Sequence, residues 1–139
     1  MFDNRTVTTM VPAKDLERAK AWYADKLGLK PADGGNEGGA VYKLGNGTGF
    51  FLYSSQFAGT AKHTVISLDT NDIAADMKAL RGKGVTFEEY DLPDLKTVDG
   101  VASWGAVKNA WFKDADGNII GLVQGMQATA PWAWDSGTP

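Results

Sequence analysis

Histidine occurs once in this chain, at His63, and cysteine does not occur at all. Disulfides, thiolate metal sites and cysteine nucleophiles are therefore excluded, and imidazole chemistry has a single candidate. An imidazole with a pKa near ~6.5 is usable as a base at neutral pH. No serine elbow or carboxylate partner adjoins His63 in sequence, however. Its alternation partners are Val65 and Ser67, while Thr64, Ile66 and Leu68 are expected to face the helices, which places His63 on the cleft side. Ligand contact and a structural place at a strand start are its competing roles, with catalysis behind both.

Other residues invite chemistry less directly. Glu88-Glu89-Tyr90-Asp91 with Asp94 forms an acidic cluster beside a long loop at 92–105, where lids and binding edges are often found. Alternation lets only one of Glu88 and Glu89 face a cleft, with Tyr90 accompanying Glu88; a charged edge strand is the plainer reading. Trp104 and Trp111 could supply the flat apolar wall of a pocket or belong to the core. Trp111 shares parity with Val107 and Asn109, which leaves both open. Asp114-Ala115-Asp116-Gly117-Asn118 imitates a calcium loop, but its glycine comes two positions early and Gly125 stands where the bidentate Glu belongs. A hairpin turn is expected there. Gly45-Asn46-Gly47-Thr48-Gly49 is followed by apolar strand rather than by a helix N-terminus, so it too is read as a turn and not a phosphate cradle.

The elements that must position these residues follow from periodicity. Arg5 to Val11 alternates as a strand, and Pro12 is expected to end it. Asp15 opens a helix to about Lys26, with Leu16, Ala19, Trp22, Tyr23 and Leu27 on one side and Gly28 as its stop. Lys30 to Gly39 is loop-like, around at most a weak strand. Ala40 to Leu44 and Phe50 to Tyr53 form a hairpin, and Ser54 to Lys62 reads as a linker. Thr64 onward is a strand. Asp72 opens a second helix to about Lys83, with Ile73, Met77 and Leu80 inward. Val85 to Asp91 is a strand, and Ala106 to Gln124 is a hairpin whose second arm contains Gly121. Glycine in a strand interior implies that something approaches the backbone closely. The two helix starts lie 57 residues apart, and both halves read β-α-β-β-β, an internal repeat.

Thr8-Thr9-Met10-Val11-Pro12-Ala13-Lys14-Asp15-Leu16, Ala21-Trp22-Tyr23, Leu27-Gly28-Leu29, His63-Thr64-Val65 and Phe112-Lys113-Asp114-Ala115-Asp116-Gly117-Asn118 together resemble the vicinal oxygen chelate superfamily. This group contains glyoxalase I, extradiol dioxygenases, methylmalonyl-CoA epimerase and the bleomycin-resistance proteins. The resemblance runs from about residue 5 to 124. It implies an α+β fold of two tandem βαβββ modules, about 5–54 and 63–124, forming a curved mixed sheet around a cleft within a single domain 1–124, with 125–139 as a C-terminal tail. In metal-dependent members, four His or Glu side chains from four strands hold a divalent ion. Carried over, those positions fall at Thr8, near Leu52 (with a register uncertain by one), at His63 and at Gly121. One donor of four remains, too few for a zinc- or iron-type site.

The expected function is accordingly binding of a small organic molecule without a metal or other cofactor, as in the bleomycin-resistance proteins. The expected pocket is Thr8, Met10, Leu52, His63, Tyr90, Trp104 and Gly121. His63 and Tyr90 would orient the guest, the tryptophan would stack on it, and Gly121 would leave the room that Glu fills elsewhere. No residue is assigned a catalytic role. The alternatives are a lyase, isomerase or dioxygenase-like enzyme using His63, and a regulatory module engaging another protein through cleft or tail. The net charge of −3 and pI near 5.0 argue against nucleic acid or anionic membrane as partner. No apolar run approaches the ~18 residues of a membrane span, and no secretory signal opens the chain, so a cytoplasmic setting is expected. A homodimer is expected, with Trp132 and Trp134 docked on the domain's own surface or across a subunit boundary.

Overall fold

The computed structural model describes residues 1–32 and 38–125. Its first half carries β1 (Met10–Ala13), α1 (Leu16–Leu27), β2 (Gly39–Lys43) and β3 (Gly49–Ser54). The second carries β4 (Thr64–Thr70), α2 (Ile73–Gly82), a small ribbon β5 (Asp91–Leu92) and β6 (Leu95–Lys96), then β7 (Ala102–Trp104), β8 (Val107–Lys113) and β9 (Ile119–Gln124). Two mixed sheets result, ordered β1-β3-β2 and β4-β9-β8-β7. In each, the strand before the helix lies parallel to the last strand of its half: Val11 pairs Leu52, and Leu68 pairs Leu122. This is the expected α+β architecture.

Local chemistry starts and stops the helices as the sequence predicts. The Asp15 carboxylate accepts from the Arg18 amide at 3.1 Å, and Asp72 accepts from Ala75 at 3.0 Å, each closing an otherwise orphaned donor. Gly28 ends α1 in the left-handed region at φ 67. The two helix ends then close one another. Lys26 Nζ donates to the Lys83 carbonyl at 2.5 Å, and Lys83 Nζ donates to the Asp25 carbonyl at 3.0 Å. The two lysines stand 57 positions apart, the same offset as the helix starts, so the repeat is visible as a reciprocal contact.

Burial divides the apolar residues into two clusters, one under each sheet. Tyr23, Tyr42, Phe50 and Leu52 centre the first, and Met77, Phe87, Phe112 and Ile120 the second. Trp22, Leu27 and Ile66 pack against both, and the Trp22 ring stacks on Phe112 at 6.3 Å. The turn between β8 and β9 clasps the first half to the second. Asp114 accepts from the Tyr23 hydroxyl at 2.6 Å, and from Asp116 and Asn118 amides at 2.9 and 3.0 Å. The Asn118 side chain donates to the Pro12 carbonyl at 2.8 Å and accepts from the Gly59 amide at 2.9 Å. Asp116 accepts from the Lys14 amide and the Arg18 guanidinium.

Four strand expectations are corrected. The first strand begins at Met10 rather than Arg5, because it is a sheet edge and residues before Thr9 find no ladder partner. Pro12 does not end it. An edge strand tolerates a missing N–H, and the Pro12 carbonyl faces outward to Asn118. Val85 to Asp91 is not a regular strand: Phe87 makes one bridge to Phe112, and the Glu88 amide donates to the Trp111 carbonyl at 2.8 Å. The stretch read as loop 92–105 instead supplies β7, because Trp104 and Ala102 pair with Val107 and Asn109. In the stretch read as loop before β2, the Ala32 amide donates to the Val41 carbonyl at 2.7 Å, and Gly39 already belongs to β2, opposite Tyr53; the glycine pair at 34–35 lies outside the described residues.

Candidate functional site

The second sheet buries Ala110, Phe112, Ile120 and Leu122 under α2. Alternation sends Val107, Asn109, Trp111 and Lys113 to its other face. Trp111 is therefore not core. On that open face its ring meets Tyr90 edge-on at 5.5 Å and Trp104 edge-on at 6.5 Å, both spacings of attractive aromatic pairs. Trp104 remains 50% exposed. The three rings form an accessible aromatic platform.

A bulge explains what lies beside it. The β4–β9 register shifts between Thr64 and Ile66, so the extra residue, Val65, brings Thr64 and Ser67 to the same side. Thr64 thus leaves the helix-facing set in which simple alternation places it. Its hydroxyl accepts from the Trp111 indole N–H at 3.1 Å, fixing the tilt of the platform. Gly121 pairs with both Trp111 and Ser67. A Cβ added there would come within 2.9 Å of Ser67 Oγ and 3.2 Å of Thr64 Cγ2. The glycine does admit a close approach, but the space is filled by Thr64 and Ser67 rather than left open.

Through Tyr90 the platform adjoins a cavity of about 340 Å³ with mixed polar and apolar walls, lined by Gly59, Thr60, Ala61, Lys62, Glu88, Tyr90, Lys113, Gly117 and Ile119. Glu88 and Lys113 are paired at its wall, 3.5 Å apart. Burial, with the neighbouring Glu88 charge second, pushes the Tyr90 hydroxyl up from its ordinary value of 10.0, so it is a neutral donor at physiological pH. Glu89 turns the other way. It accepts from Thr97 Oγ1 at 2.5 Å and the Gly100 amide at 3.0 Å, and these bonds hold its carboxyl below the usual range. Glu88 and Tyr90 share the cavity while Glu89 ties the 97–100 segment. A second cavity, of about 260 Å³, lies where Thr9, Leu44 and Thr48 approach Val65 and Ser67.

The expected pocket residues are dispersed. Tyr90, Trp104 and Gly121 gather around Trp111. Met10 is 46% exposed on β1, opposite Phe51, and lines neither cavity. Thr8 is exposed in the extended segment before β1. His63 is exposed just before β4, its Nδ1 3.0 Å from the Thr64 carbonyl, and also lines neither cavity. Leu52 is corrected outright: it is fully buried in the first core cluster, because its neighbours Phe51 and Tyr53 take the opposite face of β3. Sequence reasoning missed Lys62 and Lys113, and left Trp111 undecided. The available signal was parity, since Ala110 and Phe112 are the more core-like residues on either side.

The family model of the Glyoxalase/Bleomycin resistance protein/Dioxygenase superfamily matches residues 5–122. The chain belongs to this superfamily. Among solved structures, TnmS3, an antibiotic binding protein from Streptomyces sp. CB03234, is 25% identical with a TM-score of 0.64, covering 87% of this chain and 97% of its own. A glyoxalase / bleomycin resistance protein from Catenulispora Acidiphila DSM 44928 is 22% identical, with a TM-score of 0.63 and coverage of 86% and 96%. A lactoylglutathione lyase from Agrobacterium tumefaciens is 16% identical, with a TM-score of 0.64 and coverage of 88% and 96%. These two share the fold. A comparison with curated proteins finds no match.

The superfamily's metal-dependent members raise the question of an ion here, and the side chains at the four carried-over positions do not make up a donor set for one. Of the four carried-over positions, Leu52 is sealed in the core, Gly121 has no donor, and Thr8 offers only a hydroxyl. Among the described residues, no group of three or more His, Cys, Asp or Glu side chains is placed to hold a metal. No helix among them is long and apolar enough to cross a membrane.

Proposed function

We propose that this protein binds a small organic molecule on the open face of its second sheet, without a metal ion, by stacking it on Trp111. The observation that carries the reading is the platform itself. Three aromatic rings lie together on a face that the core does not use, with an indole anchored to Thr64 and a cavity adjoining it. Such a surface fits a ligand site better than a folding need, because flat apolar walls with a few polar groups are how small molecules are held. Similarity to an antibiotic binding protein supports the same class of activity. Tyr90 and Trp104 contact the guest, and Gly121 acts indirectly by admitting Thr64 and Ser67 beneath it. Met10, Thr8 and His63 enter only through a second copy, since they lie away from this platform.

The proposal extends to assembly and setting. Residues 1–124 act as one domain of two modules, with 125–139 appended. Two copies pair through the exposed sheet faces, where Met10 and Trp104 leave apolar surface in water. A chain without cysteine suits the cytoplasm. Trp132 and Trp134 lie outside the described residues. The test is a thermal-shift and tryptophan-fluorescence screen of planar aromatic compounds against the parent and Trp111→Ala. Compounds should raise the melting temperature and quench fluorescence in the parent only. Equal responses in the variant, or a divalent ion purifying at one per chain, would overturn the reading. Light scattering that finds a monomer would remove the dimer.

A further inference from the structure

The platform's polar end specifies the charge of its guest, an inference that rests on the binding reading above. Lys113 follows Trp111 by two residues on the same strand face, so its backbone lies about 7 Å farther along. Its ammonium is paired with Glu88 at 3.5 Å, yet Lys113 remains 53% exposed in its side chain. Lys62 lines the same cavity, and among the described residues it makes no hydrogen bond or ion pair. Two cations and one carboxylate therefore border this space, leaving one unneutralised positive charge. That surplus is local and runs against the net charge of −3 of the whole chain. Tyr90 adds a hydroxyl at the junction between rings and charges. Its donor stays protonated near neutrality, for the reasons of burial and charge already given. The volume, about 340 Å³, stands at the small end of ligand pockets.

We propose that the guest is an aromatic organic anion, its ring on Trp111 and its acid group between Lys62, Lys113 and the Tyr90 hydroxyl. The step of about 7 Å from the Trp111 to the Lys113 backbone is the span of a one- or two-ring body with a carboxylate at its edge. A cationic guest would have to displace Lys113 from Glu88 while facing Lys62, an arrangement of like charges that disfavours it.

Calorimetry with naphthalene-2-carboxylate, 2-naphthalenemethanol and 2-naphthylmethylammonium separates the possibilities, because the three share a ring and differ in charge. The carboxylate should bind at least about tenfold more tightly than the alcohol at low salt, with the gap narrowing as ionic strength rises. The Lys62→Gln/Lys113→Gln double variant should bring acid and alcohol level, and the Lys62→Arg/Lys113→Arg variant should restore the preference. Equal binding of acid and alcohol in the parent would overturn the anion assignment while leaving the stacking platform intact. Preference for the ammonium would overturn it in favour of Glu88 as the recognising group. If none of the three binds and Trp111→Ala behaves as the parent does, both this inference and the binding reading fall.

Discussion

Replacing Asn118 by alanine should loosen the contact between the two halves of the chain by an amount the geometry sets. The Asn118 side chain is 1% exposed and satisfies three groups at once: the Pro12 carbonyl at 2.8 Å, the Gly59 amide at 2.9 Å and Asp114 Oδ2 at 2.9 Å. Alanine leaves the first two without partners. Both are only partly buried, so about 1 kcal/mol each is the appropriate figure for a lost hydrogen bond of this kind. The bond to Asp114 is charge-assisted and adds about 1.5 kcal/mol, although that carboxylate keeps its Tyr23, Asp116 and Asn118 backbone donors. The total is about 3.5 kcal/mol. An unfolding entropy of about 2.1 cal/mol/K per residue over 139 residues gives about 0.3 kcal/mol/K. The melting temperature should therefore fall by roughly 12 °C. Calorimetry reads the shift, and hydrogen exchange at the Gly59 amide reads its cause, since that proton should lose protection. A fall of less than about 3 °C with Gly59 still protected would refute the account of the clasp.

Three further outcomes follow from other contacts. Tyr23 titrates far above its ordinary 10.0, first because it is buried and then because Asp114 is charged and bonded to it. The folded state therefore holds a proton that the unfolded state releases. Stability is full below pH 10 and falls by about 1.4 kcal/mol per pH unit above it, and Tyr23→Phe should remove one proton from that slope in alkaline urea titrations. Gly121→Glu should destabilise by about 1–3 kcal/mol, because its side chain meets Ser67 and Thr64; metal analysis should find no stoichiometric zinc or nickel in the variant. Gly100→Ala sets a Cβ at φ +83 against Met77, Arg81 and Phe87 at 3.1 to 3.2 Å, and chemical denaturation should show a loss of about 1–3 kcal/mol.

The helices were legible because Asp15 and Asp72 carry their own caps and the apolar spacing leaves one buried face. The Gly45–Gly47 and Asp114–Asn118 turns were legible for a related reason: their chemistry is local. What escaped was whatever depends on a neighbour. Pro12 looks like a stop until its strand is seen to be an edge. Residues 102–104 look like loop until β8 is alongside. Thr64 changes face through one bulged residue, which period-2 counting cannot detect. The platform was half visible, since Tyr90 and Trp104 could be named, whereas Trp111 needed Ala110 and Phe112 to be placed in the core. Leu52 failed by one position of register, which in a strand exchanges core for surface. Lys62 has no periodic context, so only its seat in the cavity marks it.

The bulge at Val65 limits what position 121 can carry. With Thr64 and Ser67 leaning over Gly121, an acid placed at that one position yields a crowded strand rather than a working ligand. Making room for a larger side chain there means altering β4, which also disturbs the hydroxyl that steadies Trp111. The glycine thus couples three strands: the packing of β4 on β9 and the tilt of the ring on β8 both rest on its having no side chain.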